Sequence, residues 1–118
     1  MDEILNMNIN EMANVSFNCS CGKTHRLDIR KIVIGSNVIS ELPSILKDFK
    51  CKKIYILSDN HTWKAAGEKV YHTLKGNHFN VSFTMIDRGE NILIPDEKAV
   101  GEMFMGLPAD TKMILSVG

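Results

Sequence analysis

Two short segments, each at the end of a predicted strand, carry the residues with the clearest chemical potential. Asp59 follows the apolar run at 53–57, and a carboxylate in that place can accept hydrogen bonds from the vicinal hydroxyls of a ribose. The run at 113–117 reads as a buried strand and is followed by Gly118, where a loop that holds phosphate on backbone N–H groups can begin. Together the two segments predict nucleotide binding.

Both positions also have a purely structural interpretation. Asp59 with Asn60 can cap the helix that follows, and Gly118 can be an ordinary glycine between a strand and a loop. The residues alone leave both interpretations open. Because residues 58–63 contain no glycine, a Rossmann fingerprint after the first strand is excluded, and a phosphate loop would have to follow the third strand.

The spacing of apolar residues predicts an α/β fold in which a β-hairpin precedes a Rossmann-like parallel sheet. Alternating runs at 15–19 and 25–29 flank a glycine-containing turn at 20–23, which is typical of a hairpin. A short strand at 31–35 and a helix at 42–49 are predicted next. From 52 to 118 strands alternate with helices as a βαβαβ unit.

Within this unit, strands are predicted at 53–57, 79–86 and 112–117. The first of them is uniformly apolar, as expected of a central strand that is covered on both faces. A helix at 62–75 should end with Gly76 in the left-handed conformation. A second helix should start near Pro95 and present Val100, Met103 (or Phe104) and Leu107 as an apolar stripe. Residues 2–13 show only a weak helical pattern.

Composition limits the classes of function and partner. A length of 118 residues suits one domain, and the 14 basic and 14 acidic side chains are interspersed. No basic footprint for nucleic acid or an anionic membrane follows from such a balance. No apolar run could span a membrane, and the chain starts Met-Asp-Glu, unlike a signal peptide. Three cysteines, an odd count, fit a reducing compartment, so we expect a cytoplasmic protein.

Cysteine and histidine in the predicted hairpin imitate half of a zinc site. Cys19, Cys21 and His25 have suitable spacing, but structural zinc takes four protein ligands. The remaining sulfur, Cys51, stands at the start of a different predicted strand. The sequence therefore favours a plain hairpin turn, and we assign no metal ligand. Because no other histidine has a visible catalytic partner, we assign no catalytic residue either.

Seven short stretches, none of them decisive alone, resemble one known superfamily. They are CSCGKTH at 19–25, IVIG at 32–35, LP at 42–43, SDNHT at 58–62, AAG at 65–67, PDEKAVGE at 95–102 and ILSVG at 114–118. The arrangement is similar to the N-terminal domain of the glycerol dehydrogenase, dehydroquinate synthase and iron-containing alcohol dehydrogenase superfamily. It resembles most closely the sn-glycerol-1-phosphate dehydrogenases.

This resemblance implies that Asp59, Asn60 and Thr62 contribute to the adenosine side of NAD or NADP, and that Gly118 opens the pyrophosphate loop. The family segment reads Asp-x-Asn-Thr, so the order of Asn60 and His61 is changed here, and Asp59 carries over more directly than Asn60. The implied reaction, part of phospholipid biosynthesis, reduces dihydroxyacetone phosphate, a small phosphate substrate, to sn-glycerol 1-phosphate. Zinc, nickel or iron would be held by an aspartate and two histidines outside this chain.

The resemblance also implies that these 118 residues are the N-terminal, cofactor-binding part of a longer oxidoreductase and are inactive by themselves. A glycerol dehydrogenase or a dehydroquinate synthase relative would share the same plan. The C-terminal helical domain that carries the metal and the substrate would be absent.

Other classes of protein fit the residues less well. A receiver-like module needs a carboxylate after its third strand and an acidic pair after its first, where this chain has Ser116 and Asp59 alone. A flavodoxin-like module needs a phosphate loop after its first strand, where no glycine stands. A non-enzymatic interaction fragment is a third alternative, because an unpaired apolar edge strand invites pairing with another chain. We therefore expect a homo-oligomer, with association that light scattering would detect.

Overall fold

In the computed structural model, which describes residues 6–118, the chain separates into two units at Val38 and Ile39. We call the described residues 6–38 the N-terminal unit and residues 39–118 the sheet unit. The N-terminal unit contains a short hairpin, and the sheet unit contains a parallel sheet with its helices. The predicted α/β fold with a preceding hairpin is confirmed.

The hairpin pairs β1, Ser16–Asn18, with β2, Thr24–Arg26, in antiparallel register. Its turn is closed by the Cys19 N–H, which donates to the Lys23 carbonyl oxygen at 2.9 Å. Gly22 has a φ of +80°, a conformation that a glycine adopts without strain. The turn therefore lies where the glycine-containing segment of the sequence predicts it.

Two predictions for the N-terminal unit differ from the structure. Residues 31–35 form no strand, and the Ile34 side chain is 73% exposed, because a strand needs a hydrogen-bonded neighbour that this segment lacks. The weak helical pattern at 2–13 falls partly on residues 2–5, which lie outside the described residues. Residues 6–13 form turns and bends near Asn8 rather than a helix.

A 3₁₀ turn at Val38–Glu41, which starts at the last residue of the N-terminal unit, leads into α1, Leu42–Asp48, with Pro43 in the first turn as predicted. The sheet consists of three parallel strands in the spatial order β4-β3-β5. Their bounds are β3, Lys53–Asp59; β4, Asn80–Ile86; and β5, Met113–Ser116. The predicted central position of the first strand is confirmed, because β3 pairs on both sides. β5 lies at an edge, and the association expected from it stays a prediction.

The second helix, α2, follows β3 directly and consists of three consecutive segments: Asn60–Thr62 is α-helical, Trp63–Gly67 is a π-helical turn, and Glu68–Gly76 is α-helical. Gly76 is still helical, and the left-handed residue is His78, with a φ of +64°. The prediction that Gly76 ends the helix in that conformation is therefore wrong. Asn77 caps the helix through its own N–H, so the reversal comes two residues later.

The hydrophobic core of the sheet unit lies between the sheet and helices α1 and α2. Its buried residues are aliphatic except for one phenylalanine: Leu46, Ile54, Ile56, Val70, Leu74, Phe79 and Val81. Trp63 packs at the border of this cluster and stacks on Phe83, with ring centroids 4.4 Å apart. The carboxyl end of β3 and the start of α2 are thus held by a well-packed core.

The third helix, α3, covers Glu97–Gly106 and starts where Pro95 predicts it, with Asp96 as its N-cap. Ala99 is its buried residue, whereas Val100 is 45% exposed. Met103 and Leu107 of the predicted stripe are half-buried, and Met103 lies one helical turn after Ala99. The Met103 carbonyl oxygen accepts from the Tyr55 hydroxyl at 2.9 Å, so the predicted stripe is confirmed at Met103 and wrong at Val100. Across residues 6–118, none of the helices combines the length and apolar character that a membrane crossing requires.

Candidate functional site

A cleft of about 280 Å³ lies where β3 and β5 reach their carboxyl ends, beside α3. Its polar lining consists of Ser58, Asp59, Thr62, Ser116 and the backbone of Gly118, and its apolar wall includes Ile86, Val100 and Met103. Parallel sheets bind ligands at this end of their strands. Three of the four predicted site residues, Asp59, Thr62 and Gly118, therefore come together, and Asn60 lies outside the lining.

A reciprocal pair of hydrogen bonds joins Asp59 to Thr62 at the start of α2. The Thr62 N–H donates to Asp59 Oδ1 at 2.6 Å, and the Asp59 N–H donates to Thr62 Oγ1 at 3.1 Å. This is a capping box, which satisfies two backbone donors that a helix leaves unpaired. The capping interpretation of Asp59 is confirmed. Contact between Asp59 and a ribose stays a prediction. The Asp59 carboxylate lines the cleft in which that contact would form.

Hydrogen bonds from the Thr62 backbone, with a smaller contribution from the Thr62 hydroxyl, lower the pKa of Asp59. A carboxyl with a lowered folded-state pKa stabilises the fold above its unfolded-state pKa, and that stabilisation disappears as the pH falls through the lowered value. The part of the capping contribution that depends on the charge of Asp59 is therefore present in full at neutral pH and lost in acid.

Replacing Asp59 by asparagine should show this dependence, because asparagine keeps a capping oxygen and removes the charge. We expect Asp59→Asn to lower the free energy of unfolding at pH 7 by about 0.5–1 kcal/mol. The difference from the wild type should vanish below the lowered pKa of Asp59. Urea unfolding at several pH values measures this, with Glu90→Gln in an exposed loop as the control. A difference that stays constant into acid would contradict the expectation.

Asn60, the fourth predicted residue, is 8% exposed and has both amide atoms engaged. Its Nδ2 donates to the Gly89 carbonyl oxygen at 2.7 Å, and its Oδ1 accepts from the Arg88 N–H at 3.3 Å. Arg88 in turn pairs with Glu102 on α3, with Nη2 and Oε1 3.1 Å apart. Asn60 therefore ties the loop after β4 to the start of α2, so it shapes the cleft from behind.

Ser58 is a polar cleft residue that the predicted site does not include. It is 4% exposed, and within residues 6–118 its Oγ is the buried side-chain polar atom that lacks a hydrogen-bond partner. An unsatisfied buried polar group costs about 1–3 kcal/mol, so a hydroxyl left in this state at a ligand cleft suggests a ligand partner. The available signal was its position directly before Asp59, at the carboxyl end of the central strand.

Gly118 reaches the cleft because strand pairing continues past the end of β5. The Val117 N–H donates to the Leu57 carbonyl oxygen at 2.9 Å, which holds the segment beside β3. No atom lies within 4 Å of the place where a Cβ would stand on Gly118. The structure thus brings Gly118 to the predicted edge of the sheet.

A second cleft, of about 410 Å³, lies at the opposite end of the sheet, where β3 and β4 begin. Lysines and a histidine contribute to its lining: Lys47, Lys50, Lys52 and His78. Although it is larger, it lies away from the carboxyl ends of the strands, where α/β sheets place their ligands. The cleft with Ser58 and Asp59 is therefore the candidate site.

Comparison with known proteins gives one consistent result. The chain is 28% identical over 116 residues to a glycerol-1-phosphate dehydrogenase [NAD(P)+] of Halalkalibacterium halodurans, which covers 97% of the chain and 29% of that protein. It is 22% identical over 116 residues to the enzyme of the same name from Geobacillus stearothermophilus, again with 97% and 29% covered. The Bacillus licheniformis enzyme is 28% identical over 102 residues, which cover 85% of the chain and 25% of that protein.

No protein-family model and no solved structure matches the chain. The chain spans less than a third of the length of the curated relatives that it matches. The relatives that do match all carry one enzyme name, and the stretches of sequence that resemble this enzyme family lie throughout the matched region. Over nearly its whole length, this chain is therefore similar to glycerol-1-phosphate dehydrogenases, at 22–28% identity.

Proposed function

We propose that the chain provides part of the cofactor-binding cleft of an NAD(P)-dependent, metal-dependent dehydrogenase that interconverts dihydroxyacetone phosphate and sn-glycerol 1-phosphate. The names of the relatives support the oxidoreductase class and a nicotinamide cofactor. The observation that carries the proposal is the buried, unpartnered Ser58 hydroxyl beside the Asp59 carboxylate, at the carboxyl end of the central strand.

The residues in the cleft fit the nucleoside part of such a cofactor. The Ser58 hydroxyl can donate or accept, and the Asp59 carboxylate can accept from ribose hydroxyls. Ile86, Val100 and Met103 offer an apolar wall for a base. A volume of about 280 Å³ is close to the lower limit of ligand sites, about 300 Å³, so the cleft fits part of a dinucleotide. When the cofactor is bound, its nicotinamide supplies hydride. This chain would hold the nucleoside at the other end of the cofactor.

Catalysis needs further residues that this proposal does not assign to the chain. The resemblance implies a divalent metal on an aspartate and two histidines, and none of these roles falls on the residues of the cleft. We therefore propose that a polypeptide of these 118 residues has no dehydrogenase activity. NAD(P)H oxidation with dihydroxyacetone phosphate and added Zn²⁺ tests this, and turnover above the protein-free blank would contradict it.

Ser58→Ala should affect stability and nucleotide affinity in opposite directions. Removing the unpartnered hydroxyl should raise the free energy of unfolding by about 1 kcal/mol, since an unsatisfied group is lost. The same change should weaken binding of NADH or NADPH about two- to tenfold, the net value of one hydrogen bond. Wild-type affinity should be weak, with a Kd of about 1 mM. NMR titration and urea unfolding measure the two quantities.

Ser82→Ala is a suitable control, because Ser82 lies on β4 towards the other end of the sheet. It should leave nucleotide affinity unchanged. In the wild-type titration, the shifted resonances should belong to residues 57–62 and 116–118. Ser58→Ala that loses stability and binds NADH and NADPH as well as the wild type would assign the hydroxyl a structural role and contradict the proposal.

A further inference from the structure

We propose that Cys19, Cys21 and His25 form a Zn²⁺ site in the hairpin turn, with three protein ligands and water as the fourth. One potential ligand atom from each of these residues lies within 4.8 Å of the other two. Cys21 Sγ and His25 Nε2 are only 3.2 Å apart. This site is in the N-terminal unit and is independent of the proposed dehydrogenase function, which uses the cleft of the sheet unit.

The distances suit a tetrahedral ion. Zinc–sulfur bonds of about 2.3 Å and zinc–nitrogen bonds of about 2.0 Å require ligand atoms about 3.5–3.8 Å from each other. The three atoms here are already within about an ångström of that arrangement. Because Cys21 and His25 are exposed and Cys19 is half-buried, small side-chain rotations would complete it. Thiolate and imidazole ligands suit Zn²⁺ better than they suit Mg²⁺ or Ca²⁺, and thiols stay available as ligands in a reducing compartment.

The backbone of the turn presets the positions of the ligands. Gly22, in its left-handed conformation, donates to the Cys19 carbonyl oxygen at 3.0 Å, which closes the loop that carries both cysteines. His25 comes from the other strand, where it stands opposite Phe17 with ring centroids 5.6 Å apart. A metal on these ligands would therefore join the turn to β2.

The N-terminal unit also has few other interactions that would stabilise it. None of the described residues 6–38 is fully buried, and β1 and β2 are three residues long each. A two-stranded hairpin of this kind is marginally stable in water. Structural zinc supplies folding free energy to small units that lack a core. The sequence argument against zinc required four protein ligands, as in closed structural sites, whereas open zinc sites have three protein ligands and a water molecule.

Titration of the whole 118-residue chain with Co²⁺ under reducing conditions, followed by displacement with Zn²⁺, tests the site. We expect one equivalent of Co²⁺ to bind, with thiolate charge-transfer absorption and the intense visible bands of tetrahedral cobalt. Cys19→Ser, Cys21→Ser and His25→Gln should each lower the affinity at least about tenfold, the smallest loss expected for a group that supports a metal. Cys51→Ser, the matched control, should bind like the wild type.

A second measurement uses the unaltered chain and so does not depend on how the variants fold. Alkylation with and without Zn²⁺, followed by peptide mass spectrometry, should show that zinc protects Cys19 and Cys21 and leaves the reactivity of Cys51 unchanged. Protection of this pair together with the variant pattern supports the site. Absence of thiolate absorption, unprotected Cys19 and Cys21, or an equal loss in Cys51→Ser would overturn it.

Discussion

Leu74→Ala is expected to lower the free energy of unfolding of the sheet unit by about 2–5 kcal/mol. Leu74 lies in the last segment of α2 and is 0% exposed, among Ile54, Ile56 and Val70. Truncation removes apolar contacts and leaves a cavity that a sheet and two helices cannot close fully. A domain of this size has a total stability of about 5–15 kcal/mol, so the variant should lose a large part of it.

Urea unfolding followed by circular dichroism measures the change. Met105→Ala is the matched control, because the Met105 side chain is 92% exposed on α3; it should change the stability by less than about 0.5 kcal/mol. Similar losses in the two variants would mean that Leu74 is not a core residue, and the packing of α2 on the sheet would then be incorrect.

Two glycines in α3 should respond to alanine with opposite signs. No atom lies within 4 Å of a Cβ built on Gly101, whereas a Cβ on Gly106 would overlap Thr84 Oγ1 and lie 3.2 Å from the Tyr55 hydroxyl. Gly101→Ala should therefore stabilise the chain by about 0.5–1 kcal/mol through helix propensity. Gly106→Ala should destabilise it by about 1–3 kcal/mol, because α3 must move away from β4.

A double-mutant cycle assigns the clash to its partner. Rotation of the Thr84 side chain would move Oγ1, but the Tyr55 hydroxyl would still be 3.2 Å from the new methyl group, which is tighter than ordinary van der Waals contact. Thr84→Ala removes the nearest atom, so Gly106→Ala should cost less in that background, with a coupling of about 0.5–3 kcal/mol. Equal losses in the two backgrounds would show that the clash does not explain the effect.

The elements that the sequence predicts correctly are those whose signal is local or covered on both sides. β3 reads as central because its apolar run has no polar face, and the start of α3 follows from Pro95 and Asp96. The prediction of a strand at 31–35 is wrong because an apolar run forms a strand only when a neighbouring strand pairs with it. Pairing is not a local property of the sequence. Gly76 fails because the helix continues through it, and His78 takes the left-handed conformation.

The candidate site shows the same division. Asp59 is recognisable because it directly follows an apolar strand, whereas Thr62 was implied only by the family resemblance. The capping box that joins the two residues at the carboxyl end of β3 is a finding of the structure. Ser58 could not be singled out, because whether a hydroxyl finds a partner depends on the packing of a distant helix and loop. Asn60 is next to Asp59 in the sequence, but it does not line the cleft because its side chain bonds to Gly89 and Arg88. These two residues lie in a loop about thirty residues further along the chain, so the contact could not be predicted locally.

The stack of Trp63 on Phe83 gives the molecule a built-in optical reporter. The chain has one tryptophan and two tyrosines, and Trp63, Tyr55 and Tyr71 all belong to the sheet unit. Tryptophan and tyrosine fluorescence therefore reports unfolding of the sheet unit and does not detect unfolding of the hairpin. The cobalt absorption expected from Cys19 and Cys21 would arise in the N-terminal unit alone. Emission and visible absorption from one sample should therefore follow the two units separately.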